Sequence, residues 1–444
     1  IRSGASRVTS IHHGASASTQ FEILGADFSP DGRTLVTAGN DQQLSIWNVA
    51  TASISRSLTG AGVPLRGPVL SADGSTAFTT DRNREVVVWD LSGRESFVRP
   101  FTAGSGFGQW PYFAESPDGR TLATTSVGSK SRPSVALIDT SNLEIVRRIT
   151  DPGSLPLGLA FSPNSSTLAV GSANQNQYFV RLWDVATGRP ASANLPGIEG
   201  TQVWSLAFSP SGDMLAGGGP LPDRSRGRTY LWDLTNGARL VGHVDTEQTV
   251  DQVSFTPDGS ELTAATGQST GGDLVTWNAQ TLASLLNVRV DNVGVYSSDV
   301  SNDGRAIVTG GQAGPRLWDI ATGAPLGPPM TGLNGLPGTV DISADGTTVV
   351  GADESGNVLL WDVATGTPLG DPLPGPAPSR WMAALFSPDG RRLFVVSDAG
   401  QGWVWDVDQS DWLTRACTVA GRNLTLQEWQ QLLPGQPYEA TCGF

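Results

Sequence analysis

Along this chain the hydrophobic positions come in short runs of four to seven residues, broken at regular intervals by polar, glycine and proline clusters. The stretch from Val203 to His243 shows the pattern most clearly. Val203 to Ser209 alternates apolar and small residues, Pro210-Ser211-Gly212 breaks the run, Met214 to Gly217 resumes it, and Thr229 to Leu234 forms a third run around Leu231-Trp232-Asp233. That spacing predicts three short strands joined by tight turns. Thr235-Asn236-Gly237 reads as a turn, since Asn-Gly readily supplies positive φ, and Ala238 to Val241 supplies a fourth strand before Gly242-His243. Four antiparallel strands make one small sheet.

The unit recurs. Turns of the Phe-Ser-Pro-Asp-Gly kind stand at Phe28 to Gly32, Leu70 to Gly74, Glu115 to Gly119, Phe161 to Ser165, Phe208 to Gly212, Phe255 to Gly259, Val300 to Gly304, Ile342 to Gly346 and Phe386 to Gly390. Each is followed by a third-strand tryptophan (Trp47, Trp89, Trp183, Trp232, Trp277, Trp318, Trp361, Trp405), with Ile138 the exception. The period of about 42 to 47 residues is that of four-stranded propeller repeats. Fourth strands are expected near Ile54 to Leu58, Glu95 to Phe101, Leu143 to Ile149, Ala191 to Leu195, Ala238 to Val241, Leu282 to Val290, Pro325 to Met330 and Pro368 to Leu373. The ninth is missing, and a spare strand, Ser6 to Ile11, stands at the amino end. The expected fold is therefore all-β: a single closed β-propeller of nine four-stranded blades over residues 1–408, with residues 6–11 completing the last blade and removing the free edges. Residues 409–444 turn helical in pattern. Trp412, Ala416 and Val419 fall at helical spacing, and Thr425 with Glu428 forms a capping box ahead of Trp429, Leu432 and Leu433, so a short helical hairpin is expected there.

Charge and composition narrow the function. A net charge of -14 repels phosphate backbones and anionic lipid, which argues against a nucleic-acid partner. No run approaches the roughly 20 apolar residues of a membrane span, so no membrane insertion is expected of this stretch. The chain begins at Ile1 without a methionine, which suggests a mature product or a domain cut from a longer protein. A cytoplasmic location is expected, or an extracytoplasmic one if an anchor lies upstream.

Sequences that resemble catalytic motifs have plainer readings. Gly267-Gln268-Ser269-Thr270-Gly271 matches a nucleophile elbow, but it joins two strands, whereas the elbow needs a strand turning into a helix. Gly104-Ser105-Gly106-Phe107-Gly108 precedes a strand, not a phosphate-cradling helix. His12-His13 has no further ligand at metal spacing, and no metal or cofactor is expected. Cys417 and Cys442, the only cysteines, bracket the second expected helix. They read as a disulfide, a free buried pair or a metal half-site; two thiols without histidines make a poor zinc site, which favours a pair close in space that stabilises the hairpin.

Phe-Ser-Pro-Asp-Gly followed by Leu-Trp-Asp at this period resembles the WD-repeat β-propeller family over about residues 6–408. The turns Asp184 to Pro190, Asp319 to Pro325 and Asp362 to Pro368, of the DVATGRP type, together with the tail from Trp412 to Cys442, are similar to the carboxy-terminal propellers of large bacterial regulators. These are the STAND-type signal-transduction NTPases and some actinobacterial propeller-bearing kinases. The resemblance implies a sensing or partner-binding module, with nucleotide chemistry in another domain. It also implies that partners meet the face formed by the loops leading into first strands, where Leu24, Arg66, Pro111, Leu157, Trp204, Asp251, Tyr296, Gly338 and Met382 fall. Arg66, Trp204, Asp251, Tyr296, Trp381 and Met382 are the expected partner-binding residues; Trp204 and Trp381 could equally pack between blades. The leading expectation is a non-catalytic, monomeric module that binds a protein or peptide. A metal-dependent propeller enzyme and a self-assembly module are the alternatives.

Overall fold

A computed structural model describes residues 23–39, 44–58, 66–71, 74, 76–80, 86–91, 98–102, 112–126, 133–151, 154–174, 177–267, 271–291, 294–311, 314–333, 337–353, 356–370, 372–374, 382–398, 400–408, 423 and 426. The strand expected at residues 6–11, the helical hairpin, Trp381, Cys417 and Cys442 lie outside them. Every element with defined bounds is a β-strand, and the strands form nine separate antiparallel sheets. In chain order sheet 1 lies within residues 23–58, sheet 2 within 66–90, sheet 3 within 113–149, sheet 4 within 155–194, sheet 5 within 205–246, sheet 6 within 250–291, sheet 7 within 295–319, sheet 8 within 337–374 and sheet 9 within 382–406. The first three strands of each sheet are those expected from the repeat.

The local chemistry of the turns explains the strand ends. In the first turn Ser29 Oγ donates to Asp31 (2.6 Å) and accepts the Thr34 amide (2.9 Å), while Asp31 also accepts the Arg33 amide (3.0 Å). Ser116 with Asp118, Thr256 with Asp258, Ser343 with Asp345 and Ser387 with Asp389 repeat this arrangement. The hydroxyl before the proline is therefore as much a part of the turn as the aspartate and glycine. At the other turn, Asp184 accepts both the amide and the hydroxyl of Thr187 (2.7 and 2.6 Å), as Asp319 does from Thr322 and Asp362 from Thr365.

All the third-strand tryptophans except the half-buried Trp405, whose indole N–H is unpaired, are buried, and five of them are anchored in two ways. Where the second strand offers a threonine, the indole N–H donates to it, as from Trp47 to Thr37 (2.9 Å), Trp89 to Thr79 (2.7 Å) and Trp318 to Thr309 (2.8 Å). Trp232 and Trp361 instead reach back to carbonyls in the preceding connection, Pro196 O (2.9 Å) and Thr331 O (2.8 Å). Each buried ring contributes on the order of several kcal/mol, so the sheets are held chiefly by face-to-face packing.

The chain divides into two units, residues 1–96 and 97–444. In the first, sheets 1 and 2 pack through Val36, Ala38 and Ile46 against Ala77 and Trp89. In the second, each sheet packs on the next. Phe161 of sheet 4 meets Leu137 of sheet 3, Trp232 of sheet 5 meets Val180 of sheet 4, and Phe255 of sheet 6 meets Leu231 of sheet 5. Trp318 of sheet 7 then meets Leu274 of sheet 6, Ile342 of sheet 8 meets Leu317 of sheet 7, and Phe386 of sheet 9 meets Val358 of sheet 8. The cycle is completed where Phe394 and Val404 of sheet 9 share a core with Leu122 and Ile138 of sheet 3. The second unit is thus a ring of seven sheets.

That count corrects the expectation of nine blades in one ring. The outer edge of Gln401–Asp406, assigned from sequence to residues 6–11, is paired with Val98–Thr102, with Gln401 opposite Thr102 and Trp405 opposite Val98. Val98–Thr102 is the strand expected to finish sheet 2, which has three strands among the described residues. The fit is steric. Gly402 stands opposite Phe101, whose buried ring occupies the space a Cβ on Gly402 would need. A second correction concerns Pro325 to Met330, which is no full strand. It touches sheet 7 through a single bridge, Trp318 to Pro325, and through the Leu326 and Met330 amides donating to Leu317 O and Pro315 O (3.0 and 2.7 Å).

Candidate functional site

Within the seven-sheet ring the first strands lie side by side as the innermost layer. Hydroxyls stitch them together: Ser205 Oγ accepts the Val253 amide (3.0 Å), Ser297 Oγ the Val340 amide (2.9 Å) and Thr339 Oγ1 the Ala384 amide (2.8 Å). Two carboxyls do the same one turn of the ladder further on. Asp299 accepts from the Ile342 amide (3.2 Å) and Asp341 from the Phe386 amide (2.6 Å). Burial raises the pKa of both. Asp341 is pushed well above the carboxylate range by burial first and then by the negative charge of Asp299.

Near its beginning the first strand carries a bulge. Val250 pairs with Thr266 and Gln252 with Ala265, leaving Asp251 out of the ladder; Val295 and Ser297 likewise skip Tyr296, and Pro337 and Thr339 skip Gly338. In the first unit Ile23 and Gly25 skip Leu24. These skipped residues are positions the sequence assigned to the lead-in face. A bulge re-aims a side chain away from the sheet, which gives those positions a structural basis.

Trp204 sits at the corresponding place before the first strand of sheet 5, half-buried. Its indole N–H donates to Gln202 Oε1 (3.0 Å), and Gln202 Nε2 donates to the Tyr178 hydroxyl (3.1 Å) on the third strand of sheet 4. The connection that carries it is pinned from below. The buried Tyr230 hydroxyl pairs with Thr201 Oγ1 (3.0 Å) and accepts the Glu199 amide (3.2 Å). The glycine run 217–219 lets the second strand pass beneath, since a Cβ on Gly219 would overlap the Gln202 carbonyl. Trp204 is therefore neither free nor part of the inter-sheet core.

Tyr112, just before the first strand of sheet 3, stands at the corresponding place there but packs against the core between sheets 3 and 4. Burial raises the pKa of its phenol, and the charge of Asp251, three sheets away, adds to the rise. Tyr112, Trp204, Asp251 and Tyr296, from sheets 3, 5, 6 and 7, thus occupy one end of the ring. Nothing in the repeat pattern singles out Tyr112, Tyr178 or Gln202, because their contacts depend on neighbouring sheets.

The other expected residues fall elsewhere. Met382 is 1% exposed and packs among Val350, Ala352 and Val358, so it belongs to the core between sheets 8 and 9 and not to a binding face. Its bulge-position logic fails because the strand Met382–Phe386 pairs without a register shift. Arg66 is exposed at the start of sheet 2, in the first unit, opposite Thr80. His243 is an exposed residue within Arg239–Thr246, with its ring tilted against Tyr230 at 5.9 Å. At the opposite end, a cavity of about 700 Å³ opens between sheets 7 and 8, lined by Arg305, Leu317, Leu326, Met330, Asp345 and Val363, where the fourth strand of sheet 7 is reduced to its bridge. Among the described residues no group of three or more His, Cys, Asp or Glu is placed to hold a metal ion.

Residues 6–48 and 192–233 match the family model "WD domain, G-beta repeat". These two stretches are similar to a WD repeat. Protein groucho of Drosophila melanogaster is 26% identical over 292 residues, which are 65% of this chain and 31% of that protein. Periodic tryptophan protein 2 homolog of Schizosaccharomyces pombe is 30% identical over 198 residues, 44% of this chain and 19% of that protein. This chain thus spans a third or less of the length of both. A guanine nucleotide-binding protein subunit beta of Oryza sativa subsp. japonica is 25% identical and is covered over 78% of its length by 65% of this chain. Among solved structures, a chain of the crystal structure of mitotic checkpoint complex superposes with a TM-score of 0.57 at 16% identity, covering 70% of this chain and 95% of that one. That likeness is one of fold.

Proposed function

We propose that the seven-sheet ring is a non-catalytic module that binds a protein or peptide segment at the end carrying Tyr112, Trp204, Asp251 and Tyr296, and that it serves as the recognition part of a bacterial signalling protein. The observation that supports this most is the convergence of first-strand bulges with large amphipathic side chains. Asp251 and Tyr296 are re-aimed by bulges, and Trp204 is held half-buried by a hydrogen-bond chain through Gln202 to Tyr178. Tyrosine and tryptophan combine contact area with a polar tip and few rotatable bonds, which suits them to anchor a partner. One similar structure is itself a complex and one relative is named as a subunit, which agrees with this reading. The DVATGRP type of turn supports the bacterial placement. A cytoplasmic setting belongs to the same proposal.

The test is a co-purification from the native host with Tyr296→Ala and Trp204→Ala variants, beside a Thr347→Ala control at the opposite end. Loss of at least ~1.4 kcal/mol per anchor, about tenfold in affinity, is expected for the first two with unchanged melting curves. Equal recovery of the same partner by all three proteins would refute the assignment.

A further inference from the structure

The first unit has two sheets among the described residues, and each carries an exposed phenylalanine. In the ring, four of the residues that precede a Ser-Pro-Asp-Gly-type turn are buried on the sheet before them: Phe161, Phe255, Ile342 and Phe386 are each 8% exposed and share a core with residues of the preceding sheet. Phe28 holds that position in sheet 1 and is 55% exposed. On the far face, Phe78 of sheet 2 stands where Ala216 stands in sheet 5, one residue beyond the partner of the tryptophan. Ala216 is fully covered by sheet 6, whereas Phe78 is 39% exposed. At both positions a phenylalanine exposes apolar area that the equivalent positions of the ring cover with a neighbouring sheet.

The strand count points the same way. Sheet 9, the last of its ring, takes its fourth strand from Val98–Thr102, which precedes the ring's first sheet. Sheet 2 ends its unit with three strands among the described residues, and the strand that follows it in sequence pairs with sheet 9 instead. By the same construction, the strand that finishes sheet 2 precedes the first sheet of its own ring.

We infer that sheets 1 and 2 are the last two sheets of a second ring, and that the sheet in front of Phe28 is another repeat of this kind encoded ahead of residue 1 of the full-length chain. Two sheets cannot close on each other. Rings of four to eight sheets need roughly two to six more. The occupant is specified by the faces themselves: it presents to Phe28 the small and branched side chains that Ala216 and Leu231 present to Phe255, and to Phe78 a first strand.

The experiment compares the 444-residue chain with the form extended to the natural start of its gene, by hydrogen exchange over residues 23–90. Burial of Phe28 and Phe78 slows exchange in Ile23–Phe28 and Val86–Asp90 by about tenfold to a hundredfold in the extended form, the equivalent of covering one phenylalanine. Phe28→Asp abolishes that protection in the extended form and leaves exchange in the 444-residue chain unchanged. Phe255→Asp, inside the complete ring, lowers stability in both forms and serves as the reference. A gene that encodes no repeat ahead of residue 1, or equal exchange in the two forms, overturns the inference. So does concentration-dependent protection of the 444-residue chain by light scattering, which would make a second copy the occupant.

Discussion

Glu115 tests the physical account of how the ring closes. It ends the first strand of sheet 3, at the position that holds Phe161, Phe255 or Phe386 in other sheets, and its side chain is 3% exposed. Arg392 of sheet 9 is 3.9 Å away, too far for a hydrogen bond, because its guanidinium is engaged with Thr140 O (3.1 Å) and Gly119 O (3.2 Å). Neither carboxyl oxygen has a hydrogen-bond partner. Burial therefore outweighs the attraction of Arg392, and with Asp389 and Asp118 adding repulsion the pKa rises from an ordinary 4.5 to about 8. Because the folded state holds this proton more tightly than the unfolded chain, stability falls as pH rises between about 4.5 and about 8. At ~1.4 kcal/mol per pKa unit the limit is about 5 kcal/mol, and water reaching the charged form reduces this to about 2–3 kcal/mol. Glu115→Gln keeps the shape and removes the titration. In urea unfolding followed by tryptophan fluorescence from pH 5 to 9, the variant should match the natural protein near pH 5 and exceed it by about 2–3 kcal/mol near pH 9. The Asp299–Asp341 pair also titrates upward, but it is common to both proteins and cancels in the difference. A gap between the two that does not change with pH would sink the argument.

Met382→Ala should cost about 2–5 kcal/mol in unfolding free energy, as expected for a buried methionine, while leaving partner affinity within about twofold when both are measured well below the melting temperature. The turn aspartates give the opposite pH limb. Thr187, Thr322 and Thr365 hold the carboxyls of Asp184, Asp319 and Asp362 below the ordinary range, and Thr235 with Arg239 brings Asp233 to about 2. Depressed values contribute stability above the unfolded value of ~3.9 and lose it as pH falls toward 2. Denaturation midpoints should drop over that window, and less steeply in Asp184→Asn, since Asn278 already caps the same turn in sheet 6 through Thr281.

The repeats were legible because each is specified locally. Ser29 with Asp31, Asp184 with Thr187 and the buried Trp47 need only residues of their own sheet, and the strands Ser53–Leu58, Ile145–Ile149 and Ser284–Asp291 lie where the alternation put them. What required the structure was which sheet meets which. Val98–Thr102 reads as a strand on any edge, and only the space above Gly402 selects its partner. At Asp251 and Tyr296 the lead-in positions coincide with a bulge that recurs with the repeat. Met382 was misplaced because its strand lacks that bulge and pairs straight through.

The pairing of Val98–Thr102 with Gln401–Asp406 also bears on how the ring is made. The strand that seals it is synthesised before the first sheet, and its partner comes last. Between the two the chain builds sheets 3 to 8 in order, each able to settle on its predecessor, while one early strand has no edge to join. Such a contact has the greatest sequence separation in the ring, so sealing should be the slow step and the point at which a truncated or stalled chain exposes sheet edges to neighbours. Birth order on the ribosome thus makes the last few residues of the ring the guard against aggregation of all the others.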